Sequence, residues 1–467
     1  MNNALLRKIP KIDSLLALPE IRRACEEHPY VLVRELLKEE TEKLRQSLLS
    51  GTAVAVPSAE KLAAKALERL QQGDYYSLRR VINATGVVLH TNLGRAPLGC
   101  EAAQHVAAVA AGYSNLEYDL EKGERGSRYS HIERLLCEIT GAEAAMVVNN
   151  NAGAVFLMLN TLCQGKTVAV SRGELVEIGG SFRVPEIMTR SGAVLMEIGT
   201  TNKTHPYDYV NAIDSGAEAL LKVHTSNFKI RGFTESVEIE DLGPIAREKG
   251  TLLLYDLGSG FLFPCENFGL HGEGHVAGKC LRAGADVVSF SGDKLLGSAQ
   301  AGVLIGKKKY IDQIKKNHLT RMLRIDKLSL AALEYALRYS VDPALAAEHI
   351  PALHMLSRTE DDCRAICRAL KEKIRDAAPE VYADLVFVQD EAGGGSLPDV
   401  FLDGAALAIQ VGALRPEALE KKLRTSAVPV IARISRDSLL LSARTLLEDD
   451  LDEIAAALAR INQEAKA

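Results

Sequence analysis

The chain has 467 residues, of which 47% are hydrophobic and 25% are charged, and its formal net charge is −5. This composition is typical of a globular protein with two or three domains, and a pI near 6.2 gives no overall basic field for nucleic acid. The eight scattered cysteines argue against a disulfide framework, no metal site is predicted, and no apolar run is long enough to span a membrane. We therefore expect a cytoplasmic protein that meets any polyanion through local basic patches.

Residues 1–75 are predicted to form a helical N-terminal domain. Apolar side chains keep helical spacing before and after a break near residues 50–58, for example at Leu36 and Leu37 and again at Leu62 and Leu70. Basic residues are scattered over the first half of this region, at Lys8, Lys11, Arg22, Arg23 and Arg34. They are weak evidence for RNA contact, because a charged helix face is usually only solvated.

Two segments rich in turn residues follow. The stretch Arg79–Leu98 is too apolar for a linker and contains too many turn-forming residues for a helix. Its Arg95 is a candidate ligand contact. The polar loop from Tyr113 contains Arg125 and Arg128, three residues apart. These two arginines either approach a phosphate or carboxylate or lie in a solvated loop, and the sequence does not separate these alternatives.

From Ala142 the pattern alternates between short apolar strands and helices, which predicts a mainly parallel sheet covered on both faces. The first predicted strands are Ala144–Val148, Thr167–Val170, Val194–Ile198 and Ala219–Val223.

Two stretches of this region are candidate binding positions. Residues 149–154, which include Asn151 and Ala152, form a predicted turn before a helix over Val155–Leu162, where backbone N–H groups can hold a phosphate. The alternative is an ordinary strand-to-helix turn. The segment His224–Asn227, which contains Ser226, follows a strand at the carboxyl edge of the sheet, where ligands bind.

The central prediction concerns two later strands. The apolar run from Thr251 ends in Asp256 and a glycine-rich turn, and the run Ala285–Phe290 is followed by small residues and Lys294. Partial desolvation favours the neutral lysine amine, which condenses with an aldehyde, and a carboxylate one strand away can keep a pyridine nitrogen protonated. The pair therefore predicts a pyridoxal 5'-phosphate site with Lys294 and Asp256 as cofactor-binding residues. A surface turn with a solvated lysine is the alternative.

The residue pattern in the last part of the chain predicts a further anion site and a small domain. Arg321 and Arg324 are expected on one helical face, where they would suit a phosphate-like oxyanion, although exposed helix charge is the simpler interpretation. A helix over Leu328–Tyr339 leads into a small α+β domain, which ends with strands and an alanine-rich helix over Leu451–Ile461.

Three motifs in order, HTNLGR at 90–95, SGDKLLG at 291–297 and TRMLRIDK at 320–327, closely resemble those of bacterial selenocysteine synthases, the L-seryl-tRNA(Sec) selenium transferases. The resemblance covers nearly the whole chain. It implies a helical tRNA-binding domain (1–75), a large catalytic domain of the pyridoxal phosphate-dependent, fold-type-I, aspartate-aminotransferase-like α/β class (76–340) and a small C-terminal domain (341–467).

The resemblance also implies an activity. L-seryl-tRNA(Sec) would be converted to L-selenocysteinyl-tRNA(Sec) with selenophosphate, through an aminoacrylyl-tRNA intermediate bound to pyridoxal phosphate, in a homodecamer built as a pentamer of dimers. Lys294 resembles the lysine that bonds the cofactor, Asp256 resembles the partner of the pyridine nitrogen, and Arg95, Arg321 and Arg324 resemble the selenophosphate-binding arginines.

Two other classes remain as alternatives. One is a pyridoxal enzyme that acts on a free amino acid, such as a cysteine desulfurase or β-lyase, for which Cys363 and Cys367 are poorly placed and the N-terminal domain has no task. The other is a tRNA-binding protein without catalysis, against which the presence of Lys294 and Asp256 argues.

Overall fold

The computed structural model describes residues 5–51, 53–71, 73, 76–178, 182–226, 228–271, 275–398 and 400–466. The chain divides into two compact units, one formed by Met1–Val81 with Thr425–Pro429 and the other by Ile82–Arg424 with Val430–Ala467. The further division at residue 340 stays a prediction.

The smaller unit is helical, as predicted. Its helices are Ile12–Leu16, Pro19–Glu27, Tyr30–Leu49 and Ala59–Gln71. They pack around a core of fully buried leucine and isoleucine side chains that includes Leu15, Ile21, Leu37 and Leu62. The expected break near residues 50–58 lies between the last two helices, where the Ser58 hydroxyl accepts a hydrogen bond from the backbone N–H of Lys61 at 3.3 Å.

Within the described residues, all strands belong to the larger unit. In chain order they are β1 Ile82–Ala84, β2 Tyr118–Asp119, β3 Glu124–Arg125, β4 Ala144–Val148, β5 Thr167–Ser171, β6 Glu177–Ile178, β7 Phe182–Arg183, β8 Val194–Ile198, β9 Ala219–Val223, β10 Leu252–Gly258, β11 Val287–Ser291, β12 Gly302–Gly306, β13 Tyr382–Glu391, β14 Phe401–Gln410, β15 Val430–Ser435 and β16 Ser438–Ser442.

The helices of eight or more residues in this unit alternate with the strands. They are Cys100–Ala111, Ser130–Thr140, Asn151–Leu162, Pro206–Asp214, Ile239–Lys249, Lys308–Lys316, Lys327–Tyr339, Glu360–Ala377, Pro416–Arg424 and Asp450–Lys466. No helix in the described part of the chain is both long and apolar enough to cross a membrane.

A seven-stranded sheet forms the centre of the larger unit, in the order β4-β12-β11-β10-β9-β5-β8. Strands β11, β10, β9, β5 and β8 are parallel, whereas β12 runs antiparallel to both β11 and β4. Every residue of β4, β9, β10, β11 and β12 is buried, and separate hydrophobic clusters cover the two faces. The predicted mainly parallel, doubly covered sheet is therefore confirmed.

The first residue of β12 approaches the turn after β4 very closely. A Cβ atom added at Gly302 would lie 2.1 Å from the backbone oxygen of Asn150. Because real Cβ atoms do not approach backbone atoms so closely, this strand and that turn are held in direct backbone contact.

A second sheet of five strands has the order β1-β15-β16-β14-β13. The helices Glu360–Ala377 and Asp450–Lys466 pack together, and the first of them also packs on β14. This sheet contains the predicted late strands, and it also contains β1, which pairs with β15 in parallel. The predicted small domain thus shares its sheet with a segment that precedes the large domain's strands.

Candidate active site

Lys294 lies in the loop that joins β11 to β12. The loop is short and held by its own backbone, since Gly292 N–H donates to Ala301 O at 2.9 Å and Gly297 N–H donates to Lys294 O at 2.8 Å. Gly297 has a φ of 73°, in the left-handed region that glycine adopts without strain. The side chain of Lys294 is buried, with 6% of the residue exposed, so the alternative of a solvated lysine is wrong.

The surroundings of Lys294 favour its neutral amine. Burial lowers the pKa of the Lys294 ammonium first, the positive charge of Arg95 lowers it further, and the carboxylates of Asp256 and Asp293 oppose the shift. Arg95 forms an ion pair with Asp293, the residue before Lys294, with 2.5 Å between Arg95 Nη1 and Asp293 Oδ2. A neutral amine is the nucleophilic form of lysine, so this environment prepares Lys294 to react with a carbonyl carbon.

Asp256, near the end of β10, is buried and has one free oxygen. Its Oδ1 accepts hydrogen bonds from Asn151 Nδ2 at 2.9 Å, Gly258 N–H at 3.1 Å and Ser289 Oγ at 3.3 Å. No donor from the described residues reaches Oδ2. Burial raises the pKa of the Asp256 carboxyl, and the hydrogen bond from Asn151 is the first of the interactions that hold it down.

The predicted anion-binding turn is the first turn of a helix. The helix begins at Asn151, not at Val155 as predicted, because Asn150 acts as its N-cap and accepts a hydrogen bond from Gly153 N–H at 2.8 Å. Asn151 and Ala152 therefore occupy the first two helical positions, whose backbone N–H groups have no partner within the helix. The contact between the Asn151 side chain and Asp256 could not be predicted from the sequence, because it joins residues far apart in the chain.

Ser226 and His224 follow strand β9, beside β10. The Ser226 hydroxyl is fully buried and has no hydrogen-bond partner among the described residues. His224 Nδ1 lies 3.3 Å from the backbone oxygen of Leu257, and its ring is 4.6 Å from the ring of His275. Burial is the main reason why the pKa of His224 falls to about 3, so this imidazole is neutral. Asn227, which the sequence placed in the same segment, lies outside the described residues.

Arg321 and Arg324 do not share a helical face, and that prediction is wrong. Arg321 ends a short 3-10 turn, His318–Arg321, whereas Arg324 is extended and forms a β-bridge with Val148. The intervening chain packs beside the helix that begins at Asn151, since Asn149 N–H donates to Leu323 O at 2.8 Å. Helical spacing predicted the wrong local structure for Arg324, because its backbone pairs instead with a strand residue that is far away in the sequence.

Three arginine side chains contact the same carboxylate, that of Glu117. Arg128 donates to Glu117 Oε1 through Nη2 at 2.6 Å, Arg324 Nη1 lies 3.3 Å from the same oxygen, and Arg125 Nη2 lies 3.4 Å from Oε2. Arg128 is the largest reason why the pKa of Glu117 is lowered. Of the two alternatives, a carboxylate contact is correct for Arg128, with a carboxylate of this chain, whereas the side chain of Arg125 is 80% exposed and therefore solvated, as the second alternative predicts. Arg321 is exposed and forms no ion pair with the described residues.

The sheet order, with a buried lysine after β11 and a buried aspartate near the end of β10, defines an α/β enzyme of the fold-type-I, aspartate-aminotransferase-like transferase class. A solved structure of D-glucosaminate-6-phosphate ammonia-lyase has the same fold, with a TM-score of 0.56, 20% identity, and coverage of 86% of this chain and 99% of that one. The fold predicted from the sequence is confirmed.

The family follows from sequence comparison. The family model for L-seryl-tRNA selenium transferase matches residues 81–447, and the model for the selenocysteine synthase N terminus matches residues 6–45. The chain belongs to the L-seryl-tRNA selenium transferase family and is an enzyme of that family.

Two relatives named L-seryl-tRNA(Sec) selenium transferase illustrate this similarity. The relative from Geobacter sulfurreducens is 47% identical over 97% of this chain and 98% of its own length. The relative from Clostridium perfringens is 46% identical over 99% of this chain and 100% of its own length. The resemblance stated from the motifs is thus confirmed.

Proposed function

We propose that this chain converts L-seryl-tRNA(Sec) to L-selenocysteinyl-tRNA(Sec), with selenophosphate as the selenium donor and pyridoxal 5'-phosphate as the cofactor. The observation that carries the proposal is the buried Lys294, with its lowered pKa, in the loop after β11, the strand next to the one that carries the buried Asp256. The names of the two relatives supply the substrate, L-seryl-tRNA(Sec), and the transferred element, selenium.

The residues present fit this cofactor. Its aldehyde needs an amine, which is Lys294, and its pyridine nitrogen needs a carboxylate oxygen, which is the free Oδ2 of Asp256. Its phosphate needs N–H donors, which the first helical residues Asn151 and Ala152 supply. The buried, unpartnered hydroxyl of Ser226 is a further donor in the same region. An unsatisfied buried hydroxyl is unfavourable, so a ligand oxygen near Ser226 would relieve that cost.

The chain's own residues then perform the proton chemistry. When bound, pyridoxal phosphate supplies an aldehyde that joins to amines and a ring that accepts electrons from the carbon next to the amine. Lys294 would hold the cofactor in the resting enzyme, and its freed amine would take the proton from Cα of the seryl group. Asp256 would keep a proton on the ring nitrogen. The β-hydroxyl would take up a proton and leave as water, and the selenium of selenophosphate would bond to the same carbon while its P–Se bond breaks and water takes the phosphoryl group as phosphate.

Three arginines are assigned to selenophosphate: Arg95, Arg321 and Arg324. Arg95 lies beside Lys294, and the segment carrying the other two packs against the first turn of the cofactor-binding helix. Guanidinium groups bind phosphate oxygens through paired, charge-assisted hydrogen bonds. Arg321 has no ion pair among the described residues that would compete with selenophosphate. Arg324 already pairs with Glu117, so it must break or share that ion pair to bind selenophosphate.

The helical unit formed by residues 1–81 and 425–429 is assigned to tRNA binding. Its match to the N-terminal model of selenocysteine synthase supports this role, and Arg22 and Arg23 are exposed on the helix Pro19–Glu27. A tRNA substrate also places the reaction in the cytoplasm. The homodecamer of five dimers stays a prediction, which light scattering of the purified protein would test.

The desulfurase alternative is weakened by the cysteines. Cys363 and Cys367 lie in the helix Glu360–Ala377 and are buried, with 0% and 1% of each residue exposed. Burial raises the pKa of the Cys367 thiol to about 12, so neither cysteine has the exposed, thiolate character of a mobile nucleophile.

The direct test uses the purified protein with pyridoxal phosphate, selenophosphate and charged tRNA. We expect selenium to appear on seryl-tRNA(Sec), no product from free serine, and no product with Lys294→Ala. A gel shift that compares selenocysteine tRNA with ordinary serine tRNA separates the alternatives. Binding to neither RNA favours a free-substrate enzyme, and tight binding without conversion favours a carrier.

A further inference from the structure

A cavity of about 530 Å³ lies at the carboxyl edge of the seven-stranded sheet and has no role in the chemistry above. It is lined by residues that end or follow the parallel strands β5, β8 and β9, among them Ser171, Thr204 and Thr225. Its volume falls within the range of roughly 300–1,000 Å³ that is usual for small-molecule sites, and this edge is where α/β sheets bind ligands.

The two buried charged side chains of the cavity wall, Lys222 and Glu174, are paired, and the wall also carries the partly exposed Lys203 and the exposed Lys229. Lys222 Nζ donates to Glu174 Oε1 at 3.0 Å and to the backbone oxygen of Val237 at 2.7 Å, and Glu174 Oε2 accepts from Val223 N–H at 2.9 Å. The buried ammonium and carboxylate thus neutralise each other. A strongly anionic ligand would meet no free buried cation in this wall, which favours a neutral, polar ligand.

Among the described residues, one polar side chain in the wall lacks a partner for its hydroxyl, and a second has a ring nitrogen that can accept a hydrogen bond. The hydroxyl of Tyr255 is buried, and no described residue forms a hydrogen bond with it. His224 uses Nδ1 for the backbone oxygen of Leu257, so Nδ1 carries the proton and Nε2 remains an acceptor. Both residues line the cavity, which therefore offers one hydroxyl and one acceptor that a ligand can satisfy.

Apolar surface is also present at the cavity. Phe228 and Ile230 line it, with 37% and 42% of each residue exposed. A flat aromatic surface next to hydrogen-bonding groups of both kinds, without net charge, is the environment that a nucleoside requires, because its base stacks while its edge and its ribose form hydrogen bonds.

The cavity adjoins the candidate active site through β9 and β10. His224 N–H donates to the backbone oxygen of Asp256 at 2.9 Å, and the charge of Lys294 contributes to the lowered pKa of His224. Tyr255 and Asp256 are consecutive in β10, so their side chains point to opposite faces of the same sheet edge. A ligand that rests on Tyr255 must therefore cross the carboxyl edge of the sheet to reach Lys294.

We propose that this cavity binds the 3'-terminal adenosine of the aminoacyl-tRNA substrate, with the adenine against Phe228 and polar atoms of the nucleoside on Tyr255 and His224. The inference rests on the proposed function, because the seryl group is esterified to the ribose of that nucleoside. The ribose must therefore lie only a few bonds from the carbon on which Lys294 acts.

The test compares the KM and kcat of the cofactor-loaded enzyme for seryl-tRNA. Phe228→Ala is expected to raise KM about tenfold, in the range of base–aromatic stacking, and Tyr255→Phe to raise it several-fold, each with little change in kcat. Phe387→Ala is the matched control, since Phe387 is 53% exposed on β13 and does not line this cavity. A trinucleotide CCA should bind the wild-type holoenzyme more tightly than CCC, and Phe228→Ala should remove the difference.

Each outcome has one meaning. If the wild-type enzyme is active and both cavity variants keep its KM, or if CCA and CCC bind equally, the cavity does not bind the terminal adenosine. If the wild type transfers no selenium at all, the proposed function fails, while preference for CCA over CCC still reports on the cavity.

Discussion

Asn151 Nδ2 donates a 2.9 Å hydrogen bond to Asp256 Oδ1, which links the first residue of a helix to the carboxylate near the end of β10. Gly258 and Ser289 donate to the same oxygen, Asp256 Oδ1. Among the described residues no donor reaches the other oxygen, Oδ2. The arrangement fixes the orientation of the carboxylate before any ligand arrives.

The first prediction concerns this bond. Asn151→Ala should raise the pKa of Asp256 further and weaken pyridoxal phosphate binding by about ten- to a hundredfold, because a hydrogen bond to a charged group contributes about 1.5–3 kcal/mol. Equilibrium dialysis of the apoprotein measures the affinity. Ser289→Ala, which removes a longer bond of 3.3 Å, should have a smaller effect. Equal affinities in all three proteins would contradict the role of Asn151.

The second prediction concerns pH. Burial and Arg95 lower the pKa of Lys294, so the neutral amine persists to lower pH than in a free lysine. Arg95→Met removes a positive charge and leaves Asp293 unpaired, and both changes raise the pKa of Lys294. The rate of pyridoxal phosphate incorporation, followed by absorbance, should therefore fall severalfold at neutral pH and recover at higher pH. Arg134→Met, at an exposed ion pair with Glu138, is the control and should match the wild type.

The third prediction separates cofactor from selenium donor. Arg321→Ala or Arg324→Ala should raise the KM for selenophosphate about ten- to a hundredfold and leave pyridoxal phosphate loading unchanged, because each removes a charge-assisted contact to phosphate. Arg338→Ala, at an exposed helix position paired with Glu334, serves as the control. Unchanged kinetics in selenophosphate would rule out these two arginines as its binding groups.

The fourth prediction uses the buried imidazole of His224. Its pKa is about 3 in the folded chain and near the ordinary 6.5 when unfolded, so only the unfolded chain takes up this proton between those values. Folded stability should therefore fall with decreasing pH in that window, by up to about 1.4 kcal/mol per pH unit. His224→Gln lacks this contribution. The free energy of unfolding of both proteins is measured by urea denaturation at pH 7, 6 and 5. It should fall less with decreasing pH in the variant than in the wild type, and equal decreases in the two proteins would contradict the role of His224.

Strands, Lys294 and Asp256 could be predicted from the sequence because their signals are local. Short apolar runs that end in a charged residue and glycine mark buried strands of a parallel sheet, and the structure has them at the expected residues. The first turn of the helix at Asn151 was harder to predict from the sequence, since amide residues are equally typical of a loop and of an N-cap.

What could not be predicted depends on pairing between distant residues. The antiparallel direction of β12 and the presence of β1 in the second sheet follow from partners far away in the chain. The same is true of Arg324, whose backbone pairs with Val148 and whose side chain pairs with Glu117. Helical spacing in one stretch carries no information about such partners, so the arginines were given the wrong local structure.

The close approach of Gly302 to Asn150 has a consequence for inherited variation in this protein. A change of this glycine to alanine alters no group that touches a ligand, yet it pushes on the peptide that begins the helix at Asn151. The resulting defect should combine a loss of folded stability with poor retention of the vitamin, because the added Cβ atom of even alanine would lie 2.1 Å from a backbone oxygen. In cells that carry such a substitution, enriching the growth medium in vitamin B6 would then restore selenoprotein synthesis only in part.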